Sequence, residues 1–391
     1  EQLGISGKNP KTTVNCMSFL TQPGGLTPRF IGRPSFRYAL LPLIASGYVF
    51  GDTVPIELRL LEIPHALKSL TGVKMELEDS AYPCLSNVLC TADPLEAFDN
   101  ADCIILVGGF PRKKGMARND LIQANTKIFT EMGAAIDEVA SPNVKVLVVA
   151  NPANTNCLVA LNEASNIPTK NFCALSFLDH QRAKAQIAKR LGVSTARVKN
   201  VIIWGNHSET QYPDPLTDGY CIRDDGSEIP LASLLKNDIE WVTNDFISIV
   251  QNRGKSVIEV RGNSSALSAA MASADCLKTW LVTGTKDGET VSMAVYNDKG
   301  YYGVKKGIVF SFPCECRDGN WYVREGLDLN DFARDKLAFT EEELIEERIA
   351  AEELIVKSRL RSLSTTSLTS SESDVEMTSS THSGEYLTSR I

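Results

Sequence analysis

Short apolar runs rich in β-branched residues alternate along this chain with longer stretches whose apolar positions recur every three or four residues. YALLPLIASG (38–47) has the pattern of a helix tail. IELRLLEI (56–63) reads as a buried strand ending in an acid, and LKSLTGVKMELE (67–78) as a helix. DCIILVGG (102–109) is a second buried strand, followed by a long helix from about Asn119 to Ala140 and the strand VKVLVVAN (144–151). Strands that alternate with helices of ~10–15 residues build right-handed βαβ units, so the pattern predicts an α/β, doubly wound parallel sheet covered on both faces.

The pattern has edges. Residues 1–37 are rich in Gly, Pro, Ser and Thr, carry one acid, Glu1, and show neither period; they are predicted to be an unmatched, disordered segment. After Asn206 the character shifts to helices over about 231–252 and 264–282, mixed with strands near VSMAVYN and GIVFSFPCEC. That is a second, α+β lobe, closed by the charged helix EEELIEERIAAEELIVKSRL (341–360). Residues 361–391 are Ser/Thr-rich with little apolar surface to bury, and a disordered tail is expected. The division is therefore 1–37, a first domain over 38–176, a second over 177–360, and the tail.

Composition then excludes several classes. At 391 residues, 43% hydrophobic and 23% charged, the chain has the make-up of a globular protein with room for two domains. A net charge of −8 argues against nucleic-acid binding, which calls for a basic face. No apolar stretch reaches the ~18 residues that would span a membrane. The ten cysteines are scattered, and the spacing of Cys314 and Cys316 fits no zinc pattern, so neither a disulfide scaffold nor a metal site is expected.

Candidate chemistry gathers at predicted strand ends. LDHQRAKAQIAKRL puts Asp179 and Arg182 three apart on one helix, on neighbouring faces. VKNVIIW (198–204) reads as a buried strand that delivers Gly205-Asn206-His207 to a loop. An imidazole oriented by a carboxylate and set beside a guanidinium suits proton transfer on a substrate carrying a carboxylate. The loop GGFPRKKGMARND (108–120) holds Arg112 and Arg118 around Gly115, a pair able to close over a dianion. Asn151 in VANPANTN follows another strand; it is a turn starter or a ligand for a carboxylate or a carboxamide. Glu62 ends a strand where an adenosine ribose would be bound, although a surface carboxylate would look identical. Of the four histidines, His65 lies in a turn, His180 points off another helix face, and His382 lies in the tail.

These segments resemble the NAD-dependent malate dehydrogenases of the cytosolic type, from about Tyr38 to about Lys357. The motifs LLEIPHALKSLTGVKMELED, GGFPRKKGMARNDL, VANPANTN, LDHQRAKAQIA, IIWGNHSETQYPD and GNSSALSAA carry the likeness. It implies a Rossmann-like dinucleotide-binding domain over 38–176, a catalytic domain over 177–360, NAD as cofactor and a small dicarboxylate (malate or oxaloacetate) as substrate. It also implies a homodimer in the cytoplasm, while the net charge and the lack of a long apolar stretch lead to the expectation of no nucleic-acid or membrane partner. His207 would be the proton donor and acceptor, with Asp179 as its orienting partner. Arg182 would clamp the carboxylate next to the reacting carbon, Arg112 the distal carboxylate, and Arg118 would polarise the reacting oxygen. Asn151 would contact substrate and cofactor; Glu62, Asn125 and Val149 would lie along the cofactor. The lactate-specific relatives carry glutamine in place of Arg112, so the arginine favours a dicarboxylate.

The chain departs from the family at its start. Counting back from Tyr38, the glycine positions of the dinucleotide fingerprint fall on Ile31, Pro34 and Arg37, and the first strand falls near 24–30, on GGLTPRF. Arg37 is too bulky for the close packing a glycine allows there, and the first strand is doubtful. Three accounts stay open: an N-terminal segment foreign to the family, a targeting segment, or a catalytically silent interaction protein that has lost dinucleotide binding. Organellar or peroxisomal placement follows from the second account or from the final Ser389-Arg390-Ile391. Phe177, where the family carries arginine, is a smaller departure.

Overall fold

The computed structural model describes residues 12–17, 34–110 and 118–373, with the side chains at 15–17, 34, 118 and 361–373 left aside. Six parallel strands form its centre: β1 Thr12–Met17, β2 Ile56–Leu61, β3 Leu85–Thr91, β4 Cys103–Leu106, β5 Lys145–Val148 and β6 Phe172–Ala174. They run in the spatial order β3-β2-β1-β4-β5-β6, and Val291–Tyr296, Val309–Arg317 and Asn320–Val323 extend the same sheet antiparallel beyond β6. Helices α1 Pro34–Ala45, α2 Leu67–Asp79, α3 Pro94–Phe98, α4 Arg118–Val139, α5 Ala153–Glu163 and α6 Phe177–Leu191 cover its faces.

Strand period explains the two cores. Cys103 and Ile105 point into one apolar cluster with α1, α2 and α6, while Ile104 and Leu106 point into the other with α3, α4 and α5. Leu147 and its neighbours Val146 and Val148 divide in the same way. A strand buried on both faces must be apolar at every position, which is why these runs lack polar alternation.

The expectation for the N-terminal segment is corrected. A strand at Thr12–Met17 lies between β2 and β4 with Val14 opposite both Leu58 and Cys103, while residues 24–30, where the first strand was expected, lie outside the described residues. Central pairing satisfies the backbone groups of both neighbours, and Asp102 Oδ2 accepts the Thr13 N–H at 2.9 Å. The helix whose tail was expected at 38–47 begins at Pro34, a residue suited to a first turn, and ends at Ala45. Ile31 lies outside the described residues.

Two further corrections concern the second lobe. VKNVIIW is two strands, Val198–Lys199 and Ile202–Trp204, divided by Asn200 at φ 53°. The Asn200 amide holds that break by bonding Asp218 and the Gly288 carbonyl. The C-terminal helix runs from Asp331 to Ser373, so its backbone extends through the first part of the expected disordered tail. Extending a formed helix costs far less than nucleating one. Residues 374–391 lie outside the described residues.

Candidate active site

The carboxyl ends of the parallel strands converge where open α/β sheets bind ligands. From β6 the chain turns into α6, whose first turn carries Asp179. The Asp179 side chain is completely buried and bridges two groups: Oδ2 meets His207 Nδ1, and Oδ1 accepts Arg182 Nη1 at 3.0 Å. Arg182 Nη2 also donates to Ser265 Oγ at 3.2 Å. Burial alone would raise the Asp179 pKa, but the charges and hydrogen bonds of His207 and Arg182 outweigh it, and the carboxyl stays below its ordinary range. The predicted trio is therefore assembled, with the carboxylate at its centre.

His207 is delivered by a loop held on every side. Gly205, at φ 92°, bridges to Ser311 in the large sheet, and a Cβ there would lie 2.1 Å from Thr340 Cγ2. Asn154 accepts the His207 N–H at 3.0 Å while its amide donates to the carbonyls of Val309 and Gly205 at 2.9 and 3.3 Å. From the C-terminal helix, Thr340 accepts the Asn206 N–H at 2.9 Å. Glu343 and Glu347 accept the Asn206 amide at 2.8 and 3.0 Å, Glu343 also accepts Ser208 and Thr210, and Glu347 accepts the Thr155 hydroxyl. Positions 340, 343 and 347 lie on one helix face, which fixes the loop to a rigid element.

The other predicted positions divide. Asn151 follows β5 at the carboxyl edge and is exposed there; Val149 donates its N–H to the Leu106 carbonyl at 2.9 Å, joining the ends of β4 and β5. Asn125 is buried, and its amide is spent on the protein: Oδ1 accepts Phe110 N–H at 2.7 Å and Nδ2 donates to the Leu121 and Phe110 carbonyls. It anchors the root of the 108–120 loop, where a Cβ at Gly109 would come within 2.6 Å of its oxygen. Arg112 lies outside the described residues, and of Arg118 the backbone alone is described, as the first residue of α4.

Glu62, just past β2, is buried, with Oε2 accepting the Ile63 N–H at 3.2 Å and Oε1 3.4 Å from Arg37 Nη2. A carboxylate at this strand end, beside the N-terminus of α1, fits the ribose of an adenosine. Arg37, expected to be too bulky, is accommodated with 2% exposure by pairing with that acid. His180 is a core residue: its Nδ1 contacts the Val201 carbonyl at 2.8 Å, and burial, with Lys184 adding to it, lowers its pKa to about 3. Phe177, at a position where the resemblance led to an expectation of arginine, packs its ring 5.4 Å from that imidazole.

Sequence reasoning passed over Asn154, Glu343 and Glu347. Asn154 stood three residues from Asn151 in the same motif, and its spacing onto the first turn of α5 was the available signal. The two glutamates were hidden in a helix so charged that its acids read as solvent-facing.

Comparison with known proteins bears on this site. Residues 38–173 match the model of the lactate/malate dehydrogenase NAD binding domain, and residues 176–354 match that of the alpha/beta C-terminal domain. A malate dehydrogenase of Nicotiana tabacum is 47% identical over 314 residues, covering 80% of this chain and 93% of the relative. The cytoplasmic malate dehydrogenase 1 of Arabidopsis thaliana is 47% identical over 80% of this chain and 92% of its own length. Among solved structures, malate dehydrogenase from Naegleria fowleri superposes with a TM-score of 0.78 at 39% identity, covering 88% of this chain and 99% of that one. A Trichomonas vaginalis lactate dehydrogenase, in complex with NADH and oxamate, gives 0.79 at 38% identity with the same coverage.

Proposed function

The chain belongs to the lactate/malate dehydrogenase family, and from that premise we propose that it catalyses NAD-dependent, reversible oxidation of (S)-malate to oxaloacetate. The observation that carries this is the buried Asp179 joining His207 to Arg182. Cofactor nicotinamide, when bound, supplies the hydride acceptor. Nδ1 of His207 is held by Asp179, which leaves Nε2 as the atom that takes the malate hydroxyl proton and returns it in the reverse direction. Asp179 stabilises the imidazolium formed in that step and keeps the ring oriented. Arg182 binds the carboxylate next to the reacting carbon as a planar fork.

Arg112 is assigned the distal carboxylate, Arg118 the charge growing on the reacting oxygen, and Asn151 the substrate's polar edge. These three roles rest on the family motif GGFPRKKGMARNDL and on the position of Asn151 at the β5 end. A cytoplasmic protein is proposed in keeping with relatives named cytoplasmic, and a homodimer on the family resemblance alone. No helix among the described residues is long and apolar enough to cross a membrane.

The test is a pair of assays on Arg112→Gln. Without the guanidinium, kcat/KM for oxaloacetate relative to pyruvate should fall by on the order of 100-fold, the worth of a bidentate charge-assisted contact. An unchanged ratio would reject the distal-carboxylate role. No NADH oxidation by the wild-type protein on adding oxaloacetate would reject the function itself.

A further inference from the structure

Arg37 lies in the first turn of α1, at the carboxyl edge of the sheet beside β2. Its side chain is 2% exposed, and among the described residues it pairs with Glu62, Nη2 lying 3.4 Å from Oε1. Among the described residues, Nε and Nη1 have no hydrogen-bond partner. A buried guanidinium with two empty donors is costly, because its solvation has been removed without replacement. Donors so arranged match the oxygens of a phosphate, and the positive end of a helix of 12 residues, Pro34–Ala45, adds to the pull on an anion.

The pairing with Glu62 says which phosphate. In dinucleotide sites an acid at this strand end bonds the ribose 2′-hydroxyl and repels a 2′-phosphate, whereas a neighbouring arginine accommodates one. Here both residues occupy the same subsite, and the guanidinium neutralises the acid that would otherwise discriminate. We propose that the adenosine end of this site accepts a 2′-phosphorylated dinucleotide as well as NAD(H), with Arg37 as the ligand of the 2′-phosphate. The proposal rests on Glu62 being the ribose-binding acid, as the family reading has it.

Equilibrium binding to the full chain tests it. NADH and NADPH are titrated by protein fluorescence, and 2′-AMP and 5′-AMP by calorimetry. NADPH should bind within about 10-fold of NADH, and 2′-AMP more tightly than 5′-AMP, the margin of a charge-assisted contact. In Arg37→Ala the ratio of the NADPH and NADH dissociation constants should rise by roughly 30-fold or more. Arg37→Lys, which keeps the charge but not the fork, should fall between the two.

The inference is overturned if NADPH does not bind where NADH saturates. Equal weakening of both dinucleotides in Arg37→Ala also overturns it, because Arg37 would then serve the pyrophosphate that they share. Should Arg37→Ala not fold, the preference of the wild-type protein between 2′-AMP and 5′-AMP decides alone. Oxaloacetate-driven NADH oxidation without NADPH binding sinks this inference and leaves the enzyme reading standing; failure of both nucleotides to bind sinks both.

Discussion

One carboxylate, Asp179, holds an imidazole and a guanidinium at once, and that shared bond is what turns three polar side chains into a device. Each partner fixes the other: a rotation of Arg182 would loosen the acid that orients His207. Replacing His207 by Asn removes the proposed proton acceptor while leaving much of the loop's bonding in place, since the loop hangs on its backbone and on Asn206. The expected loss in kcat is about 10²–10⁴-fold, the usual worth of general acid–base catalysis, with the melting temperature little changed. Rapid loss of fold in that variant would instead assign His207 a structural task. Asp179 and Arg182 were legible in the sequence because helical spacing is local, and a three-residue separation says where two side chains emerge. Asn154 was not: an amide that bonds residues 53 and 155 positions away leaves no periodic trace.

At the scale of elements, the loop that carries His207 is held by the C-terminal helix. Thr340, Glu343 and Glu347 present one face to residues 205–210, and the Glu347 side chain reaches both Asn206 and Thr155 of α5. Glu347→Ala would strand those two donors in a buried place, where hydrogen bonds to a charged group contribute about 1.5–3 kcal/mol each. A loss of roughly 2–4 kcal/mol in unfolding free energy is expected, together with a drop in kcat larger than any change in KM. Glu347→Gln, which keeps an acceptor, should restore most of both; denaturant melts and steady-state kinetics decide. Equal behaviour of the two variants would deny the helix this positioning role. The strands β2, β4 and β5 were readable from their apolar runs. β1 is not legible in this way: Thr12–Met17 has no long apolar run, and its place in the sheet comes from pairing with β2 and β4.

The whole molecule carries its chemistry into its pH dependence. His180 is buried neutral with a pKa of about 3, against an ordinary value of 6.5; burial is the main cause, with Lys184 and Lys199 adding repulsion and the Val201 carbonyl opposing. Its folded pKa is depressed, so its contribution to stability is whole above 6.5 and is lost as the pH falls toward about 3. Asp179, also depressed, contributes above 3.8 and is lost only as the pH falls below that. Urea denaturation from neutral to acid pH should therefore show a decline of a few kcal/mol that begins near 6.5. His180→Gln should flatten the upper part and leave the fall below 3.8 that Asp179 supplies. A slope unaltered by that substitution would place the acid sensitivity elsewhere.

By itself the sequence determined the alternation of strand and helix, the parallel sheet that follows from it, and the short-range chemistry of α6 and the His207 loop. All of these are encoded within a few residues, through side-chain period and turn residues. Tertiary structure alone decided which strand fills the centre of the sheet, which acids of the C-terminal helix turn inward, and that Arg37 is buried against Glu62. Those outcomes depend on pairings between distant segments, whose energies come from desolvation and mutual hydrogen bonding and are spelled out in no single stretch of the chain.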